Sequence, residues 1–409
     1  SIDVHDSKTG RAPKSSRNRR DRGDRRDAAV IVAPGCCGRS PGSRPHILEL
    51  QETHDDHPHP PPRTVRARGV PVHVYTASNA VAGNAVLRFT QTPRGALREA
   101  GTFPTGGAGT GGGLGNQAGL VATADGQYLL AVNAGSNSVS VLEIRGGGLR
   151  LASVAPSGGV RPVSIAVDRE RVYVLNAGSD TIAGFTLSDD GRLYSIAGSR
   201  QPLSGTGVGA AQVAFSPDGR ALVVTERATN NIVVFTLDRD GVPTGRNVVA
   251  SQGQTPFGFS FNRRRQLIVS EAAGGAANAS SASSYRLTRN GDLLVLDSVE
   301  PTLQSAACWI VVTPNGRFAY ASNTASNTIS AFRVRGGGDL VLVNADGIAA
   351  RTGAGPIDLA LTSAGDLLYS LNGAGGSIDA FRVEPDGRIV LLGSVAGLPG
   401  SANGLVALD

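Results

Sequence analysis

Val213-Ala-Phe-Ser-Pro-Asp-Gly-Arg-Ala-Leu-Val-Val-Thr-Glu226, followed after a short polar turn by Asn231-Ile-Val-Val-Phe-Thr-Leu237, decides the fold. Apolar residues alternate in the first run, Pro217-Asp-Gly219 supplies a turn, and two β-branched runs read as further strands of a hairpin. Working outward, the end of the second run recurs as Leu130-Ala-Val-Asn133, Tyr173-Val-Leu-Asn176, Ile268-Val-Ser-Glu271, Tyr320-Ala-Ser-Asn323 and Tyr369-Ser-Leu-Asn372, at intervals of 43, 50, 45, 52 and 49 residues. A short alternating run with a turn precedes most copies, as in Ile310-Val-Val-Thr-Pro-Asn-Gly316. A third run follows, as in Thr328-Ile-Ser-Ala-Phe-Arg-Val334, and a fourth comes after a Gly-rich turn, as in Gly191-Arg-Leu-Tyr-Ser-Ile196. Each unit is therefore four short strands.

A single unit of this size cannot bury both faces and must stack on its neighbours, which is the logic of a propeller blade. The expected fold is all-β, a seven-bladed β-propeller over residues 71–409. Six whole units run from Gly115 to about Leu398, and a seventh is split. Val72 to Thr105 supplies three of its strands, and Asn403-Gly-Leu-Val-Ala-Leu408 matches the missing inner one. The first blade is thus expected to be closed by the C-terminal strand.

The chain has 409 residues, 55 of them Gly and 5% aromatic, a composition that disfavours a helical bundle. Its net charge of +6 is concentrated at one end, since residues 1–70 hold 14 Lys and Arg against 9 Asp and Glu. That segment interleaves Arg with Asp, shows neither apolar period, and is expected to be a disordered basic tail. The body is nearly neutral, so a nucleic-acid partner is not expected. No apolar run is long enough for a membrane-spanning helix, and no membrane partner is expected. Five of the six His residues lie in the tail, where His54, His57 and His59 fix no metal geometry. No metal or other cofactor is expected, and the propeller is expected to be a monomer. Gly107-Ala-Gly-Thr-Gly-Gly112 formally matches a dinucleotide fingerprint, but it precedes a strand instead of opening a helix, so the mechanism behind that motif is missing.

Gly111-Gly-Gly-Leu-Gly-Asn-Gln117, Leu130-Ala-Val-Asn-Ala-Gly-Ser-Asn137, Phe215-Ser-Pro-Asp-Gly-Arg220 and Cys308-Trp-Ile-Val-Val-Thr-Pro314 resemble the bacterial lactonase-family seven-bladed propellers, which include 6-phosphogluconolactonase-like and carboxymuconate-cyclase-like proteins. The resemblance covers residues 72–409. It implies hydrolysis of a small acidic lactone of the sugar-acid or muconate type, and it favours a place outside the cytoplasm. Relatives with assigned chemistry carry a Pro-Arg-His tract on an inner strand. The aligned stretch here is Pro162-Val-Ser164, with Ser where the His would be.

Chemistry is expected at one mouth of the central channel, where the first strands begin and the second strands end. Alternation aims Ser164, Gln212, Trp309 and Asp358 into the channel there, with a smaller apolar ring including Val121, Ala214 and Val406 deeper. The repeated Asn at the second-strand end suits the turn that follows it. Glu226 and Glu271 depart from that pattern in adjacent blades, and a carboxylate pair can do general acid/base work. They are the candidate catalytic residues, the alternative being two solvated rim carboxylates. Arg227 and Arg161 are candidates for holding an anionic group, with Arg351 a third loop arginine. Gln212, Trp309 and Asp358 complete the candidate substrate-binding set, Trp309 as a stacking surface or as a channel plug. Two functions stay open: lactone hydrolysis, and a non-catalytic propeller that recognises a protein or carbohydrate partner.

Overall fold

The computed structural model describes residues 71–146 and 148–409, so the expected tail and its His cluster lie outside the described residues. Seven antiparallel sheets form seven blades of four strands, and in blades 2 to 7 those strands follow one another in sequence. Blades 3 and 6 carry their outermost strand in two short pieces. The inner strands of blades 2 to 7 are Leu120–Ala122, Pro162–Asp168, Ala210–Phe215, Pro256–Phe261, Ala307–Val312 and Pro356–Leu361. Blade 1 takes its inner strand, Asn403–Leu408, from the far end of the chain, where it pairs antiparallel with His73–Ala77. The ring closes as the repeat predicts.

Local chemistry sets the strand ends. In blade 4, Ser216 donates its hydroxyl to Asp218 at 2.7 Å, and Gly219 takes the left-handed φ of 66° that completes the turn. Second strands such as Ala221–Glu226 and Phe318–Asn323 are buried along their whole length, because both faces of their sheet pack on neighbouring blades. Outermost strands alternate towards solvent. One cluster runs through blades 2, 3 and 4 and includes Leu130, Val174 and Val213, while another joins blade 7 to blade 1 through Tyr369, Ala380, Val74 and Phe89. At roughly 1.5–3 kcal/mol for each large side chain buried, these inter-blade contacts hold the ring.

Two polar devices tie one blade to the next. Asn137, Asn230 and Asn327 adopt left-handed conformations in the turns after the second strands, and their side chains accept the N–H of Arg161, Thr255 and Gly355 in the next blade. Arg161 is thereby fixed at the start of its inner strand with φ 54°. Within the ring, inner-strand side chains tie to the next inner strand. Ser164 Oγ accepts Val213 N–H, and the Gln212 amide exchanges two hydrogen bonds with the Phe259 backbone.

Candidate functional site

The mouth is crossed by the chain itself. Leu114 is buried among blade residues, and the segment from Gly115 to Ala118 then spans the channel as a strap. Asn116 bonds Val163 and exchanges amide hydrogen bonds with Asn403, while Trp309 Nε1 donates to its carbonyl at 2.6 Å. Gln117 N–H donates to Ala211 O, and its side-chain amide bonds both Ile310 O at 3.0 Å and Ile310 N–H at 3.3 Å. The strap therefore touches four other blades, 1, 3, 4 and 6. Sequence reasoning missed it, although the two amide residues set between Gly115 and Ala118 are the feature that supplies its bonds.

Trp309 is 5% exposed and packs on Phe257 with ring centroids 4.8 Å apart. Its indole is packed within the protein, between Phe257 and the strap. Gln212 is also buried and engaged with the Phe259 backbone. Asp358 is 3% exposed, and burial holds its carboxyl well above the usual carboxylate range against the opposing N–H groups of Leu359 and Leu405. It ties blade 7 to the closing strand, as Ser164 and Gln212 tie their blades. Ser164 is committed to Val213 N–H. His73, the one His beyond residue 70, sits at the far end of its strand, opposite Leu408, and bonds Thr90.

The expectation of solvated rim carboxylates needs correcting, because Glu226 and Glu271 are both completely buried. Glu226 accepts the N–H and hydroxyl of Ser204 and the hydroxyl of Thr229. Glu271 accepts Ser251 Oγ at 3.1 Å, Gly253 N–H at 2.9 Å and Ser281 Oγ at 2.5 Å. These are contacts to the loop entering the blade and to the turn before the third strand or that strand's first residue. Asn133 occupies the same place in blade 2, bonding Thr105 on the entering loop and Ser138 and Ser140 on the third strand. Each carboxylate thus latches its own blade in the way Asn133 does.

Arg227 differs. Its side chain leaves the strand on the channel side, where Nε donates to Gly209 O at 3.0 Å and the guanidinium lies 5.0 Å from the Phe257 ring centroid. Burial lowers its pKa, the Cys308 thiol opposes that shift and the Arg161 charge adds to it. The Cys308 thiol is itself pushed up to about 11 by burial, so it stays neutral at physiological pH. Among the described residues no carboxylate pairs with Arg227 or with the exposed Arg161. Arg351 lies on the outermost strand piece of blade 6, paired with Thr328, and does not join this group. The arrangement offers two neighbouring positive charges, one of them half-buried with its terminal nitrogens uncommitted, which is the chemistry of an oxyanion site.

Comparison with known proteins agrees with this architecture. The structure is similar to that of a candidate 6-phosphogluconolactonase from Bacteroides fragilis, with TM-score 0.66, 19% identity, and coverage of 83% of this chain and 98% of that one. A Lactobacillus plantarum protein gives TM-score 0.67 at 20% identity, covering 83% and 99%. The periplasmic gluconolactonase of Pseudomonas aeruginosa gives 0.65 at 17% identity, again covering 83% and 99%. At these identities the likeness is one of fold. No curated protein matches the chain. The model of the family described as lactonase, 7-bladed beta-propeller matches residues 78–202, 192–293 and 276–400. With that match running across nearly all of the ring, this chain belongs to the lactonase family of seven-bladed β-propellers.

Proposed function

We propose that this propeller binds a small acidic lactone, or the hydroxy acid formed when such a ring opens, at the strapped mouth, with Arg227 holding the anionic group and Arg161 adding a second positive charge. The observation that carries the reading is Arg227 itself, a half-buried guanidinium next to another arginine and without a carboxylate partner among the described residues. Leaving a charge desolvated and unpaired is costly. A ligand oxyanion removes that cost. Gluconolactonase and 6-phosphogluconolactonase, the names given to two of the structural neighbours, describe ligands of this class.

Hydrolysis is the second reading, favoured by membership of the family. Ring opening needs a base that reaches water and donors for the developing oxyanion. Arg227 supplies the donors, whereas Glu226 and Glu271 would have to leave their latches to act as a base. The experiment is calorimetric titration of wild type and Arg227→Ala with 6-phosphogluconate and, as a dicarboxylate probe, with cis,cis-muconate, beside hydrolysis of 6-phosphogluconolactone and of muconolactone. Saturable binding by wild type that weakens at least about 10-fold in Arg227→Ala supports recognition at this mouth. Binding of neither acid, or equal binding by the variant, removes Arg227 from the function. Lactone turnover by wild type adds hydrolysis to binding, and its loss in Glu226→Gln or Glu271→Gln with an unchanged melting temperature would return that carboxylate to catalysis.

A further inference from the structure

The strap does more than close the channel axis. A guanidinium can be approached over either ring-like face, along the Nε edge, or end-on at its two Nη groups. For Arg227, Phe257 lies against one side and the Gly209 carbonyl takes Nε–H. Gly115 comes to the remaining end, where a Cβ would stand 2.9 Å from Nη1 and 3.3 Å from both Cζ and Nη2. Those distances put the missing side chain over the Nη end itself. The strap cannot back away, because Leu114 is buried on one side of Gly115 and the bonds of Asn116 and Gln117 tether the other.

We propose that Gly115 is the specificity-determining residue of this mouth: its missing side chain is the opening through which a ligand oxyanion reaches both Nη groups of Arg227 end-on. The inference rests on the reading of the mouth as an oxyanion site and says how that site selects. The ligand is a small molecule with a terminal carboxylate or phosphate that can form a two-pronged bond, and a branched or buried anionic group is rejected by the strap. Preorganisation follows from the same contacts, since the guanidinium is held before the ligand arrives.

Gly115 also has φ 63°, so Gly115→Ala introduces backbone strain along with the methyl group. Gly355→Ala controls for that strain. Gly355 has the same φ of 63° at the entry to blade 7, and its Cβ would meet Ala374, not an arginine. The test is titration of wild type, Gly115→Ala, Gly355→Ala and Arg227→Lys with 6-phosphogluconate and, separately, cis,cis-muconate. Because 6-phosphogluconate carries both groups, gluconate, which lacks the phosphate, is titrated beside it: saturation by 6-phosphogluconate alone identifies phosphate as the recognised group, and saturation by gluconate or cis,cis-muconate identifies carboxylate. Gly115→Ala is expected to weaken that binding at least about 10-fold, Gly355→Ala to leave it unchanged, and Arg227→Lys, which keeps the charge and loses the fork, to weaken it by a similar factor. If Gly115→Ala fails to fold, the Arg227→Lys result decides, because retained binding would rule out end-on fork recognition. Wild-type affinity in Gly115→Ala, or equal losses in Gly115→Ala and Gly355→Ala, overturns the role of Gly115 and leaves the oxyanion site standing. Binding of none of these acids by wild type overturns both.

Discussion

Replacing Glu271 separates a latch from a catalyst. The carboxylate is completely buried and accepts three hydrogen bonds, from two hydroxyls and from the Gly253 amide, which wraps close enough that a Cβ there would collide with it. In Glu271→Ala the hydroxyls can turn elsewhere, but the amide is orphaned, and an unsatisfied buried donor costs about 1–3 kcal/mol. Adding the cavity brings the loss to roughly 2–4 kcal/mol. For a ring of this size, with an unfolding entropy of about 0.7 kcal/mol/K, the melting temperature should fall by about 3–6 °C. Glu271→Gln keeps an oxygen for Ser251 and Gly253 and turns its NH2 towards a hydroxyl that can accept, so its loss should stay near ~1 kcal/mol. Scanning calorimetry on the two variants beside wild type measures both numbers. An unchanged melting temperature in Glu271→Ala would refute the latch.

Four further outcomes follow from the same contacts. Removing Ser401 to Asp409 deletes the inner strand of blade 1 and the partners of Asp358 and Asn116, so cooperative melting should be lost; an unaltered transition would disprove ring closure. Asp358 keeps in the folded state a proton that the unfolded chain releases, so its stabilising contribution is complete below about pH 4 and is lost as pH rises through the raised folded pKa. Asp358→Asn should therefore gain on wild type in melting temperature from pH 4 to pH 8, and a pH-independent difference would contradict that sign. Val406 is only partly buried, packed against the cluster of Tyr75 and Leu120, whereas Val213 is fully buried, so Val406→Asp should cost about 1–2 kcal/mol and Val213→Asp clearly more, as read by denaturant titration. A chain beginning at Gly69 should melt as the full chain does, because every described strand starts at His73 or later.

Legibility in the sequence followed the range of the interactions. Strand ends and hairpins are local, written in tracts such as Ser216-Pro-Asp-Gly219, and their repetition was enough to place all seven blades and to pair Asn403–Leu408 with His73–Ala77. The departure of Glu226 and Glu271 from the repeated Asn was visible too. What it meant was not, because their partners Ser204 and Ser251 sit on entering loops whose course obeys no period. The strap was hidden for a stronger reason. Gln117 finds Ile310 across 193 residues, and Asn116 finds Asn403 across 287. No pattern within a blade encodes a contact across the ring. Arg227 and Arg161 were readable as loop cations, but only the three-dimensional arrangement distinguishes them from Arg351 at the blade's outer edge.

In the proposed function the Nη end of Arg227, under Gly115, takes a ligand's oxyanion. A crystal structure of the full chain soaked with whichever of 6-phosphogluconate or cis,cis-muconate saturates in titration tests it most directly. Phosphate or carboxylate oxygens are expected within about 3 Å of both Nη atoms, with Glu226 and Glu271 still bonded to Ser204 and Ser251. An ordered ligand elsewhere on the ring, with the Nη groups of Arg227 left unoccupied, would contradict it.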